Sequence, residues 1–309
     1  MSATSLTTLP QRVKICEVGP RDGLQNESSV VSIDDKVRYI DLLSAAGAPI
    51  VEATSFVSPK AIPQLADADD VFARIEKRPG VTYLVLVPND RGLDRAIAAG
   101  ATAIAVFTAA SERFTKANIG MTIDESISTF AAVVRRARTE NMWVRGYIST
   151  AFGCPYEGAV PVEKVVHVAE RLADMGIDEL SIGDTIGVAT PNQVVDVAGA
   201  LQEKMPVERL AMHFHDTRGT ALANVMAALQ MGIATFDSSA GGLGGCPYAP
   251  GASGNLSTED LLYMLHGMGI ETGIDLTKIR EASRFIASKL DHPLTSRAYI
   301  ALEAAASRS

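Results

Sequence analysis

The stretch RLAMHFHDTRGTALANVMAALQMGIATFDSSAG, residues 209–241, decides the fold, because it reads as a strand, a helix and a second strand in succession. RLAMHFH from Arg209 is a short apolar run, TALANVMAALQMG has helical period, and TFDSSAG from Thr235 is again strand-like. Gly232 closes the helix with the residue that best tolerates a left-handed C-cap. A helix between two strands makes a parallel unit rather than a hairpin. Working outward, the same alternation recurs: VKICEV from Val13, PIVEATS from Pro49, VTYLVLVP from Val81, AIAVFTAA from Ala103, WVRGYIST from Trp143 and ELSIGDT from Glu179. Helical stretches separate them, among them DDKVRYIDLLSAAG ending at Gly47 and VEKVVHVAERLADMG ending at Gly176.

Eight such units over roughly 250 residues predict an α/β fold, a (β/α)8 barrel. Its parallel strands are buried on both faces, which accounts for their nearly unbroken apolar runs. An open doubly wound sheet is the alternative, but no GxGxxG follows the first strand, and GGLGG from Gly241 follows the last. The expected organisation is a flexible stretch over 1–12, then one catalytic domain over 13–309, with a short helical extension beyond about Leu276.

Composition narrows the function. In 309 residues, 47% are hydrophobic and 21% charged, so a sizeable core is available. The formal charge of −8 argues against a nucleic-acid surface. No window reaches the ~20 apolar residues of a membrane span, and MSATSLTTLPQR has no signal-peptide core. Cys16, Cys154 and Cys246 are odd in number and widely spaced, which fits a reducing, cytoplasmic compartment rather than a disulfide framework.

Barrel chemistry sits at the carboxyl ends of the strands. Polar residues gather there: Arg21 and Asp22 after strand one, Glu52 in strand two, Asp184 at the end of strand six, His213 and His215 in strand seven, and GGLGGCPYAPGASGN closing at Asn255 after strand eight. Strand alternation points His213 and His215 the same way, as a metal site needs, although buried hydrogen-bonded histidines give the same pattern. Closure makes strand eight a neighbour of strands seven and one, so Asp22, His213, His215 and Asn255 can meet. Two imidazoles, a carboxylate and an amide oxygen leave open positions on an octahedral cation, and favour Mg²⁺ or Mn²⁺.

The segments EVGPRDGLQNE from Glu17, EATSFVSPK from Glu52, GCPYEG from Gly153, GDTIGVATP from Gly183 and AGGLGGCPYAPGASGN from Ala240 closely resemble the 3-hydroxy-3-methylglutaryl-CoA lyases, a branch of the DRE-TIM metallolyases. The likeness runs from about Val13 to Asp275, and its most specific piece is the cysteine-bearing glycine loop. It implies divalent-metal-dependent retro-Claisen cleavage of 3-hydroxy-3-methylglutaryl-CoA to acetyl-CoA and acetoacetate by a homodimer. By the same resemblance Asp22, His213, His215 and Asn255 are the metal ligands, and Arg21 and Cys246 are catalytic. Ser28 departs from the lysine that animal members carry there.

Arg21, a fixed cation with a rigid donor fork, suits the thioester oxygen where charge develops. Glu52 is expected to aim it, and Asp184 to support the site or contact substrate. Glycine density around Cys246 reads as a mobile lid whose thiol exchanges a proton with the enolate carbon. Cys16 and Cys154 read as packing residues, and His167, His266 and His292 as solvated or packed. The acyl-CoA partner rests on the resemblance, since no contiguous basic cluster marks a phosphate track. Two neighbouring readings are a lyase for longer 3-hydroxy-3-alkylglutaryl thioesters, such as the isohexenyl one, and a Claisen-condensing synthase. The synthases usually need extra domains that this length does not hold.

Overall fold

The computed structural model describes residues 9–60, 62–245 and 254–306. The strands are β1 (Lys14–Glu17), β2 (Ile50–Ser55), β3 (Thr82–Leu86), β4 (Ala103–Ala109), β5 (Trp143–Ser149), β6 (Glu179–Asp184), β7 (Leu210–Phe214) and β8 (Thr235–Ser238). They pair in parallel in chain order, and β8 returns to β1 with Lys14 opposite Thr235 and Glu17 opposite Ser238. The sheet is therefore a closed (β/α)8 barrel, as the alternation predicts, and the open sheet is excluded. Gly47, Gly176 and Gly232 take the left-handed conformation at the helix ends read from sequence.

Every residue of β2 and of β6 is buried, because one face of each strand meets the helices and the other the barrel axis. Ile15, Val51, Val85, Ile104, Val144 and Ile182 face the helical shell in the main core. The alternate positions Cys16, Val18, Ile50, Leu84, Leu86, Ala103, Ala105 and Tyr147 form a separate apolar cluster inside. On the β5–β8 side the interior turns polar, with Arg145, Glu179, Ser181 and Asp237 all buried. The helix Leu276–Ala287 packs on Ile33–Ala45, and Arg297–Ala306 packs on Thr258–Gly267. Among the described residues no helix is long and apolar enough to cross a membrane.

Every strand but β2, which ends with its run at Ser55, stops one to three residues short of the apolar run. RLAMHFH ends as a strand at Phe214, so His215 lies just past it, in an isolated antiparallel bridge to Asn255. TFDSSAG ends at Ser238, and the chain turns at Ala240–Gly242. At the carboxyl rim, backbone groups leave the ladder for the loops that carry the polar residues.

Candidate active site

After β1 the chain does not simply loop out. Residues Gly19–Gly23 form a single π-helical turn in which the Val18 carbonyl accepts from the amides of Arg21, Asp22 and Gly23 at 3.2, 2.8 and 3.2 Å. That turn tips Arg21 and Asp22 over the barrel mouth. Gly19 permits it: an added Cβ would lie 2.6 Å from Tyr39 Oη and 2.7 Å from Glu17 Oε1. Glu17, wholly buried, accepts from the amides of Gly19 and Ala240 at 2.9 and 3.0 Å and from Thr258 Oγ1 at 2.6 Å. It thereby ties the end of β1 to the segments after β8.

Asn255 arrives from the far side. The Asp216 amide donates to the Gly254 carbonyl at 3.2 Å, and the Leu256 amide donates to Phe214 at 2.9 Å, so the returning chain lies along the end of β7. Gly254 is left-handed at φ 48°, and a Cβ there would meet the Gly242 carbonyl at 2.1 Å. Ser257 then caps the helix Thr258–Gly267 by accepting from the Asp260 amide.

The ligand atoms of Asp22, His213 and His215 lie within 4.8 Å of one another. Asn255 joins them by donating Nδ2 to Asp22 Oδ2 at 2.9 Å and to the Leu243 carbonyl at 3.0 Å. Burial opposes the Asp22 charge, yet Arg21, His213 and His215 outweigh it and hold the carboxyl below its ordinary range. Burial, with His213 beside it, pushes His215 down to about 3, so at neutral pH that ring is an uncharged electron-pair donor. The buried Asn255 Oδ1 and His215 Nδ1 have no hydrogen-bond partner among the described residues. Leaving such atoms unsatisfied costs about 1–3 kcal/mol each, and a hard divalent cation at a carboxylate, imidazole and amide-oxygen set would satisfy them. The donor set fits a metal.

Arg21 lies beside this cluster. Its Nη2 is 2.7 Å from Glu52 Oε2, its Nη1 2.8 Å from Asp22 Oδ1, and its guanidinium 5.9 Å from the Tyr147 ring centre. Glu52, wholly buried in β2, thus pairs with Arg21. Asp184 is buried and accepts from the amides of Val188 and Ala189 at 2.9 and 3.0 Å. Burial raises its carboxyl to about 6 against those two bonds, and the loop after β6 is what they hold in place. Cys246 lies outside the described residues. The loop segment before it approaches the RDG turn through Asn26 Nδ2 donating to the Gly245 carbonyl at 2.9 Å.

A model of the HMGL-like family matches residues 12–286. The chain belongs to the HMGL-like family. It is 54% identical over 297 residues to a mitochondrial hydroxymethylglutaryl-CoA lyase of Mus musculus, covering 96% of this chain and 91% of that one. The crystal structure of a hydroxymethylglutaryl-CoA lyase from Pseudomonas aeruginosa superposes with a TM-score of 0.94 at 50% identity, covering 96% of this chain and 99% of that chain. An HMG-CoA lyase from Acinetobacter baumannii, solved with coenzyme A and 3-methylmalate, gives 0.89 at 40% identity, covering 96% and 95%. As an HMGL-like lyase the chain depends on a divalent metal.

Behind the HMGL-like site lies a layer that sequence reasoning missed. His213 Nδ1 is 3.2 Å from Asp237 Oδ2, and Asp237 in turn holds Arg145 Nη2 at 2.6 Å. Arg145 is wholly buried in β5 and pairs with Glu179 at 2.9 Å. The available signal was a charge within each of three strands, Arg145 in WVRGYIS, Glu179 opening ELSIGD and Asp237 in TFDS, where a strand buried on both faces admits charges only in pairs. Cys16 and Cys154 are buried packing residues, as expected, and Cys154 Sγ lies 3.0 Å from Ser111 Oγ. His266 bonds Thr272 at 2.9 Å, and His292 bonds Glu27 at 2.6 Å, away from the cluster.

Proposed function

We propose that this chain cleaves 3-hydroxy-3-methylglutaryl-CoA to acetyl-CoA and acetoacetate. The observation that carries the reading is the convergence of Asp22, His213 and His215 within 4.8 Å, with Arg21 held beside them by Glu52 at 2.7 Å. The match to lyases over 96% of the chain supports the substrate class. Asp22, His213, His215 and Asn255 would hold Mg²⁺ or Mn²⁺. When bound, the cation supplies a fixed positive charge that eases loss of a hydroxyl proton.

The chemistry requires the C3 hydroxyl to lose its proton and the C2–C3 bond to break with its electron pair passing to the thioester side. The enolate carbon then takes a proton. Arg21 faces the developing thioester oxyanion; it stays charged throughout, and Glu52 and Asp22 fix two of its donors, so little reorganisation is needed as charge builds. Cys246, on the resemblance, returns the proton to the enolate carbon. Asp184 serves through the loop it closes. The same reading makes residues 13–309 one catalytic unit, in a cytoplasmic homodimer whose acyl-CoA substrate arises in leucine degradation and ketone-body formation.

The test is acetyl-CoA release from 3-hydroxy-3-methylglutaryl-CoA and from longer 3-hydroxy-3-alkylglutaryl-CoA thioesters, with and without chelator. Cleavage fastest on the methyl compound, lost to chelator and restored by Mg²⁺ or Mn²⁺, supports the proposal. Faster turnover of a longer chain replaces the substrate, and release unaffected by exhaustive chelation overturns the site.

A further inference from the structure

Asp237 and His213 face one another across the β7–β8 ladder, in register as Cα partners. Their contact is set by the sheet rather than by a loop. Asp237 Oδ2 lies 3.2 Å from His213 Nδ1 and accepts from Ser181 Oγ at 2.8 Å, while Oδ1 accepts from Arg145 Nη2 at 2.6 Å. Arg145 also donates from Nη1 to Tyr147 Oη at 3.0 Å, its Nε forms an ion pair with the Glu179 carboxylate at 2.9 Å, and Glu179 pairs again with Lys14. Lys14, Glu179, Arg145 and Asp237 alternate in sign through the barrel interior, so each buried charge has an opposite neighbour. The row ends on a histidine nitrogen.

A neutral imidazole carries one proton, and a carboxylate can only accept. We propose that Asp237, held by Arg145, is a positioning residue that keeps the His213 proton on Nδ1 and so leaves Nε2 free to bind the cation. The assignment rests on the metal-dependent reading above. A carboxylate behind a metal-binding histidine fixes both tautomer and ring orientation.

Arg145 makes the proposal testable in an unusual way. In Asp237→Asn the guanidinium, which only donates, keeps the amide oxygen on its own side and turns the NH₂ toward His213. Nδ1 must then accept, the proton moves to Nε2, and the electron pair for the metal is lost. Adding Arg145→Met removes that constraint and lets the amide present its oxygen to His213. The double change deletes one positive and one negative charge and leaves the Lys14–Glu179 pair in place.

The experiment combines ¹⁵N spectra of histidine-labelled, metal-free protein at alkaline pH with Mn²⁺ binding by electron paramagnetic resonance. Wild type is expected to show His213 protonated at Nδ1. Asp237→Asn should move that proton to Nε2 and weaken Mn²⁺ about 10- to 100-fold. The double variant should regain both the Nδ1 proton and most of the affinity, which loss of the carboxylate as a structural charge would not produce. The proposal is overturned by a wild-type proton on Nε2, by an Asp237→Asn protein that binds Mn²⁺ as tightly as wild type, or by a double variant as weak as the single. Should Asp237→Asn not fold, the wild-type tautomer and the double variant decide it. Wild type that binds no Mn²⁺ while holding its proton on Nδ1 would sink the metal reading and not the tautomer assignment.

Discussion

Asn255 Nδ2 donates to Asp22 Oδ2 at 2.9 Å, joining two residues 233 positions apart at the seam where β8 closes on β1. With the Leu243 carbonyl taking the same nitrogen, the amide oxygen is committed to the site interior. Asn255→Asp would place a second carboxylate against Asp22, a repulsion that only a cation relieves. Thermal unfolding should therefore show a lower midpoint than wild type without metal and a larger rise on adding Mn²⁺. Equal rises in both proteins would remove Asn255 from the cation's surroundings.

Arg21 bridges two carboxylates, and its expected share is in the reaction rather than in assembling the metal site. Arg21→Met should lower kcat about 10²- to 10³-fold, the usual loss for one oxyanion donor. Because Glu52 is wholly buried and would lose its cation, the variant should also carry a protonated Glu52 and a reduced melting temperature. Mn²⁺ affinity should change far less than kcat. Kinetics at saturating metal, beside a binding isotherm, separate these; a wild-type kcat would remove the assigned role.

Much of this was legible from the chain. The eight runs, the helix-closing glycines and the histidine pair all follow from local rules of period and side-chain direction, and the barrel closure that unites Asp22 with Asn255 follows from counting to eight. Register was not legible, and it is register that sets His213 opposite Asp237 and Arg145 opposite Glu179. Read singly, Arg145 and Asp237 look like blemishes in apolar strands, since a buried ion pair declares itself only once both members are placed. The π-helical turn at Gly19–Gly23 was equally hidden, because the close approach of Tyr39 that demands a glycine at its start exists only in the fold.

Gly19 gives that turn a direct test. Gly19→Ala would force its methyl group against Tyr39 Oη and Glu17 Oε1. Overpacking of this kind typically costs about 1–3 kcal/mol, and because Tyr39 and Glu17 are themselves wholly buried, the turn bearing Arg21 and Asp22 is expected to shift with them. Both thermal stability and Mn²⁺ affinity should fall together. Tyr39→Phe, which removes the nearer clash, should return part of each when combined with Gly19→Ala. Loss of stability with Mn²⁺ affinity intact would show that the turn does not position Asp22.

Glu17 predicts how stability depends on pH. Burial raises its carboxyl from 4.5 to about 7, against the opposing bonds from Thr258, Ala240 and Gly19. The folded protein therefore holds a proton that the unfolded chain has released above its own lower pKa. Stability from this group is complete below about pH 4.5 and falls as pH rises toward 7, by roughly 3 kcal/mol at about 1.4 kcal/mol per pH unit. Protonated Glu17 keeps its partners, because Thr258 Oγ1 can accept from it while donating to Ser238 Oγ at 2.8 Å. Glu17→Gln copies that protonated state, accepting from Gly19 and Ala240 through its oxygen and donating to Thr258. The variant should be more stable than wild type at pH 8 and show a flatter stability profile between pH 5 and 8. Urea unfolding across that range measures it, and parallel profiles for the two proteins would mean that Glu17 keeps its charge in the fold.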